Sequence, residues 1–176
     1  MRRSVLFAAL VLSVSVPGSV WAMGGGYGSG GQATQSSNSG FDDYATALRM
    51  IKYEKYADAI PYLNRALAQR PNNADILNYL GFTHRMLGDY PGSLDYYQRA
   101  LARNPDHKGA HEYLGELYLN MHQPAAAHGQ LDELVRLCPD GCDERDTLTK
   151  SIAAYEAAAA APPGSAAPAQ PATTQY

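Results

Sequence analysis

A period of 34 residues is the feature of this sequence that most constrains its fold. Three segments, "LAQRP", "LARNP" and "VRLCP", close at Pro71, Pro105 and Pro139, at intervals of 34 residues. The same offset carries Gly81 onto Gly115. A repeat of this length indicates an array of small units, because one such unit cannot bury its apolar face except against its neighbours.

Each repeat divides into two helical runs around a turn. In the second repeat, "ADILNYLGFTHRML" sets Leu77 and Leu80 at helical intervals, "GDYPG" interrupts the pattern, and "SLDYYQRALAR" resumes it. The third repeat has a break at "MHQP", and the first has a weaker break after "FDDYATALRMIKYEKY". The sequence therefore predicts an all-α fold of helix hairpins. We place the repeats at about 41–73, 74–107 and 108–141.

The recurring positions resemble the tetratricopeptide repeat, TPR. The second repeat carries that family's pattern at Leu77, Leu80, Gly81, Tyr90, Ser93, Tyr97, Ala100 and Pro105. The third repeat has Pro124 in place of an aromatic residue and Leu134 in place of a small one, and the first has Ala47 in place of the glycine. The resemblance implies a helical solenoid of three repeats plus a capping helix.

Small residues at the helix contacts explain why Gly81 lies in the middle of a helix, where glycine costs about 1 kcal/mol relative to alanine. Neighbouring helices of such an array must approach closely. We predict that Gly81→Leu overpacks its contact and unfolds the array, and that Gly81→Ala is mild. The predicted packing positions are Ala47, Gly81 and Gly115, opposed by Ala59, Ser93 and Ala127.

The family resemblance also implies a function, because the first helix of each TPR lines a concave groove that receives a segment of a partner protein. Carried over by position, the groove residues are Tyr44, Leu48, Lys52, Asn78, Phe82, Arg85, Glu112, Glu116 and Asn120. Tyr44 and Leu48 replace the lysine and asparagine with which chaperone-binding members grip a terminal carboxylate, so that clamp is absent. A mixed groove of this kind suits an amphipathic or aromatic-containing peptide. The alternative is a structural module that assembles with itself.

The segment "CDERDTLTKSIAAYEAA", residues 142–158, has apolar residues at helical spacing and acids near its start, as expected of a helix N-terminus. We predict that this helix caps the array. Cys138 and Cys142 flank the turn sequence "PDG", which allows either a disulfide or two buried thiols. Their spacing of three intervening residues argues against a thioredoxin-like redox pair.

The ends of the chain predict export. Residues 1–22 run from two arginines through an apolar stretch to a small-residue site, the order of a cleaved signal peptide. Residues 23–40 form a Gly/Ser-rich leader and residues 159–176 an Ala/Pro-rich tail, both expected to be disordered. Without the signal, 12 basic and 17 acidic side chains give a net charge of −5, unsuited to nucleic acid. We therefore expect a periplasmic or secreted protein that binds a protein partner and does not insert into the membrane after cleavage.

No residue pattern favours catalysis. His107 and His111 lie four apart and could share a metal, but "HEYLG" lacks the second histidine of a zinc-protease motif, so solvated histidines at a repeat boundary are favoured. Glu112 and Glu116 are favoured as a polar helix face over a glycosidase-like carboxylate pair. The sequence has no GxSxG elbow and no phosphate-binding glycine loop. We expect a non-enzymatic protein with no metal and no cofactor.

Overall fold

Helix hairpins build the whole of the described chain. The computed structural model describes residues 39–161, so the predictions for the signal peptide, most of the leader and nearly all of the tail lie outside the described residues. Within this range there are seven helices and no strand, and the predicted all-α solenoid is confirmed. The helices are α1 (Ser39–Lys52), α2 (Tyr56–Gln69), α3 (Ala74–Met86), α4 (Tyr90–Arg103), α5 (Lys108–Asn120), α6 (Pro124–Leu137) and α7 (Asp143–Ala160).

The helices form two layers with unequal spacing. The odd helices α1, α3 and α5 each pack on the even helix that follows, and α3 also packs on α5 and α5 on α7. Over residues 39–161, no comparable contact joins α2 to α4 or α4 to α6. The layer whose helices lie closer together is the inner one, because a stack of tapered units curves toward its narrower side. The odd helices therefore line the concave face.

Local side-chain chemistry sets where the helices begin. The Asn73 side chain accepts a hydrogen bond from the Ile76 N–H at 2.8 Å, and Asp89 accepts one from the Gly92 N–H at 3.1 Å. Such caps satisfy backbone donors that the first helical turn leaves free, and each typically contributes about 1 kcal/mol. They fix the starts of α3 and α4 within the second repeat.

The turn inside each repeat holds one residue in the left-handed conformation. Glu54, Gly88 and His122 have φ angles of 58°, 81° and 58°, and they lie 34 residues apart. Only the second repeat has glycine there, which explains why the sequence shows a clear turn signal in that repeat and a weak one in the first. The other two positions carry a steric cost that glycine avoids.

The buried glycines meet larger side chains than the sequence suggests. Ser93 Oγ donates to the Gly81 carbonyl oxygen at 2.8 Å, but a Cβ on Gly81 would lie 2.6 Å from the ring of Tyr97, which is fully buried. The structure therefore predicts a larger cost for Gly81→Ala than the mild effect expected from the sequence. A Cβ on Gly115 would meet Leu148 of α7 at 2.6 Å, so the open side of this glycine faces the capping helix.

The C-terminal helix completes the core of the third repeat. Leu148 and Ile152 of α7 pack with Ala127 and Leu134 of α6 in one apolar cluster. Leu134 is fully buried there, so the family's small residue is replaced by a side chain that the capping helix covers. Cys138 ends α6 and Cys142 precedes α7, and their Sγ atoms are paired across the turn between the two helices. Among residues 39–161, no helix is sufficiently long and apolar to cross a membrane.

Candidate functional site

The concave face contains side chains of very different exposure. Of the nine groove positions predicted from the sequence, Lys52 and Asn120 are exposed, Tyr44 and Leu48 are half-buried, and Arg85 and Glu116 are mostly buried. Asn78, Phe82 and Glu112 are buried. The odd helices thus supply a floor of enclosed side chains with exposed polar groups at its margin.

Aromatic side chains contact one another in two groups, one between α1 and α3 and one that joins α2, α3 and α5. Tyr44 meets Tyr79 edge to face, with ring centroids 6.0 Å apart. Phe82 contacts Tyr56 at 5.8 Å and Tyr113 at 5.2 Å. Burial raises the pKa values of Tyr44 and Tyr79 above the usual range of tyrosine. The phenol groups therefore stay neutral and act as hydrogen-bonding, apolar surface.

The sequence prediction missed one aromatic residue in each of these two groups. Tyr79 and Tyr113 each follow a predicted groove residue, Asn78 and Glu112, by one position. Adjacent residues on a helix point about 100° apart. Transferring only the family's groove positions to this sequence therefore leaves out Tyr79 and Tyr113. The recurrence of "NYLG" and "EYLG" at the 34-residue offset is the signal that could have identified both.

A buried ion pair lies at the centre of the concave face. Arg85 Nη2 is 2.7 Å from Glu116 Oε2, and the two side chains are only 10% and 12% exposed. Arg85 Nη1 also donates to Asn120 Oδ1 at 3.4 Å, and its guanidinium lies 5.5 Å from the Phe82 ring centroid. Burial alone would lower the pKa of Arg85, but the neighbouring Tyr97 and Glu116 outweigh it and raise this pKa.

Glu112 is buried with no partner for its charge. The residue is 7% exposed, and within the described chain no hydrogen bond or ion pair involves its carboxyl. Burial, with the acidic neighbours Glu116 and Glu144, raises the pKa of Glu112 to about 8, although Arg85 acts in the opposite direction. The predicted polar helix face for Glu112 and Glu116 is therefore wrong, because the flanking helices α3 and α7 enclose both side chains.

The capping helix takes part in the site, which the sequence prediction did not include. Ser151 Oγ donates to Glu116 Oε1 at 3.3 Å. Asp143 and Glu144, in the first turn of α7, add negative potential at Glu112. The concave face therefore extends from the three predicted repeats onto a fourth inner helix.

The histidines at the repeat boundary serve the fold. His107 Nδ1 accepts from the Ala110 N–H at 3.1 Å and so caps α5. His111 is 6% exposed, and its Nε2 donates to the Pro105 carbonyl oxygen at 2.8 Å while its Nδ1 lies 2.8 Å from Gln130 Oε1. The prediction that these histidines are solvated is wrong for His111. In the described part of the chain, no three metal-binding side chains come together.

Two polar atoms of the groove floor are also enclosed without a partner. Asn78 Oδ1 and Arg85 Nε are buried and make no hydrogen bond in the described chain. Both atoms lie beneath the surface, unlike the Glu112 carboxyl, and Arg85 has the equally enclosed Tyr97 hydroxyl as a neighbour. Buried polar groups are bonded in the great majority of cases, so an exception calls for an explanation.

The fold matches a large set of known helical repeats. Two family models, both described as Tetratricopeptide repeat, match residues 44–108 and 84–148. The structure of SycD, the type III secretion translocator chaperone of Yersinia enterocolitica, is similar with a TM-score of 0.63 and 16% identity, over 70% of this chain and 96% of that one. Comparison with curated proteins gives no match.

Two similar structures contain a bound peptide. SycD in complex with a peptide of the translocator YopD has a TM-score of 0.61 and 16% identity, over 70% of this chain and 97% of that one. The first TPR of Spaghetti (RPAP3), bound to the HSP90 peptide SRMEEVD, has a TM-score of 0.59 and 16% identity, over 69% of this chain and 96% of that one. At these identities the likeness concerns the fold.

Proposed function

This chain is a tetratricopeptide repeat protein, and from that premise we propose that it binds a segment of a protein partner on its concave face without catalysing a reaction. The Glu112 carboxyl carries the proposal, because it reaches the concave surface without a hydrogen-bond or ion-pair partner in the described chain. A partner peptide would supply the missing donor. The free protein otherwise bears the cost of leaving this group unpaired, typically about 1–3 kcal/mol.

The chemistry of the face disfavours an acidic C-terminal tail. The Spaghetti (RPAP3) domain binds SRMEEVD, a peptide with two adjacent glutamates and a terminal aspartate. In this chain, Tyr44 and Leu48 occupy the first-repeat positions of the lysine and asparagine that grip a terminal carboxylate in chaperone-binding members. Arg85 is already paired with Glu116 at 2.7 Å. Uncommitted Glu112 would repel an acidic ligand when ionised. We therefore favour an internal segment with apolar or aromatic side chains that pack against Tyr44 and Tyr79.

We further propose that the protein works in the periplasm, as an adaptor in envelope, secretion or pilus assembly. The signal-peptide pattern of residues 1–22 supports export. Two cysteines in the exported part, at positions 138 and 142, are compatible with an oxidising compartment. SycD, a secretion chaperone that binds a translocator peptide on a similar fold, supports the adaptor role by analogy.

In-cell photocrosslinking tests the binding face. A photoreactive residue replaces Asn120, which is exposed at the margin of the concave face, and the matched control places the same residue at Gln98, which is exposed on α4. We expect a protein adduct from position 120 that position 98 does not give. Equal adducts from both positions would refute the concave face as the binding surface. Adducts only between copies of this chain would favour the alternative, a self-assembling module.

A further inference from the structure

Glu112 is the side chain of the concave face with the most unsatisfied chemistry. It is 7% exposed, yet its carboxyl oxygens are not among the fully enclosed polar atoms, so the acid group ends at the surface of the groove. No donor from residues 39–161 bonds to it. Asn78, 34 residues earlier, is 4% exposed and has an equally unpartnered Oδ1. Of these two equivalent repeat positions, only Glu112 presents its acceptor to a donor from outside, because Asn78 Oδ1 is fully enclosed.

The charges around Glu112 favour a cation. Those that act on it belong to three inner helices: Arg85 on α3, Glu116 on α5, and Asp143 and Glu144 on α7. Arg85 is already neutralised by Glu116 at 2.7 Å, and Lys108 is 4.0 Å from Glu144. When Glu112 is ionised, four carboxylates stand against two cations, and the surplus is negative. Such a surplus in a partly enclosed site attracts a positive group.

We propose that Glu112 determines the specificity of the groove by accepting the lysine or arginine side chain of the partner's segment. This inference rests on the proposed function and adds the class of residue that the bound segment must contain. A basic side chain donates hydrogen bonds and supplies the missing charge, and a charge-assisted bond in an enclosed site is stronger than a neutral one.

Proton release upon binding is a consequence of this arrangement. With a pKa of about 8, the Glu112 carboxyl of the free protein is mostly protonated at neutral pH, and a bound cation must displace that proton. Affinity for a basic segment therefore rises with pH until Glu112 is ionised in the free protein. Between pH 6 and pH 9 the gain is up to roughly 100-fold, the factor by which the protonated form exceeds the ionised form at pH 6.

Parallel peptide selection tests the inference. A random peptide library is displayed and selected on the whole chain and on Glu112→Gln at pH 8.5, and the enriched sequences are compared. We expect the parent to enrich lysine or arginine at one position and the variant to lose that preference, because glutamine keeps the shape and removes the charge. A selected peptide and its lysine-to-norleucine counterpart are then titrated at pH 6 and pH 9. The parent should bind the lysine peptide more tightly at pH 9 than at pH 6, and it should bind the norleucine peptide equally at both pH values.

The outcomes separate this inference from the proposed function. Enrichment of peptides without a basic residue, or the same basic preference in both forms, would overturn the role of Glu112 and leave groove binding intact. No enriched peptide from either form would overturn groove binding and this inference together. If the variant folds poorly, the comparison of the lysine peptide with the norleucine peptide on the parent protein still tests the inference. Equal affinities of the parent for these two peptides at pH 9 would refute it.

Discussion

The burial of Glu112 predicts how the stability of the protein depends on pH. The pKa of this carboxyl is about 8 in the folded chain and 4.5 in its ordinary state. Between these values the unfolded chain has released the proton that the folded chain still holds, so the free energy of unfolding falls as pH rises. Below pH 4.5 both states are protonated, and above pH 8 both are ionised, so Glu112 adds no slope in either range.

The magnitude follows from the size of the shift. Each pKa unit corresponds to about 1.4 kcal/mol, so a shift of about 3.5 units gives an upper bound of about 5 kcal/mol lost between pH 4.5 and pH 8. This bound is a large part of the 5–15 kcal/mol typical of a folded domain. Glu112→Gln removes the ionisation and keeps a side chain of the same shape. We therefore expect the variant to match the parent near pH 5 and to exceed its stability by several kcal/mol at pH 9.

Urea unfolding of both proteins at pH 5, 7 and 9 is the assay. The difference in free energy between parent and variant isolates Glu112, since His111 and the other titrating groups are common to both. Asp132→Asn is the matched control, because it removes a carboxylate from an exposed site on α6. It should leave the pH profile of the parent unchanged. A difference between Glu112→Gln and the parent that stays constant from pH 5 to pH 9 would refute the reasoning.

Three further substitutions test the packing and the pairing seen in the structure. Gly81→Ala should lower the free energy of unfolding by about 1–3 kcal/mol, because its Cβ would lie 2.6 Å from the buried Tyr97 ring. Arg85→Met should cost about 3–5 kcal/mol by leaving Glu116 buried without its partner, and adding Glu116→Gln should recover most of that loss. Cys142→Ser should cost about 2 kcal/mol in oxidising buffer and little in reducing buffer, because the bridge closes a short loop.

Each of these has its own control. Gly129→Ala, at an exposed helical glycine with nothing within 4 Å, should gain up to about 1 kcal/mol, and equal losses at positions 81 and 129 would contradict the packing argument. If the double variant Arg85→Met/Glu116→Gln is no more stable than Arg85→Met alone, then Arg85 does not stabilise the protein through its ion pair with Glu116. The same loss for Cys142→Ser in both buffers would mean that the cysteine acts by packing alone. Chemical denaturation measures all of these changes.

The candidate site was only partly predictable from the sequence. Positional carry-over from the family identified Phe82, Arg85 and Glu116, which the structure brings together across α3 and α5. It missed Ser151 and the acids of α7, because the capping helix lies outside the repeat and has no position in its pattern. It also misjudged Glu112. A residue on a helix surface looks polar in sequence, and only the neighbouring helices determine whether water reaches it.

By itself, the sequence determined the architecture of this protein. A 34-residue period with helical spacing inside each unit admits a helix-hairpin array and little else, since periodicity is local and each unit must bury the same face. Tertiary structure alone decided that Gly81 opens onto the Tyr97 ring, that Gly115 receives Leu148, and that Glu112 is enclosed without a counter-charge. These depend on the distance between residues far apart in the chain. Sequence spacing carries no such information, and burial in turn decides the charge that a side chain can hold.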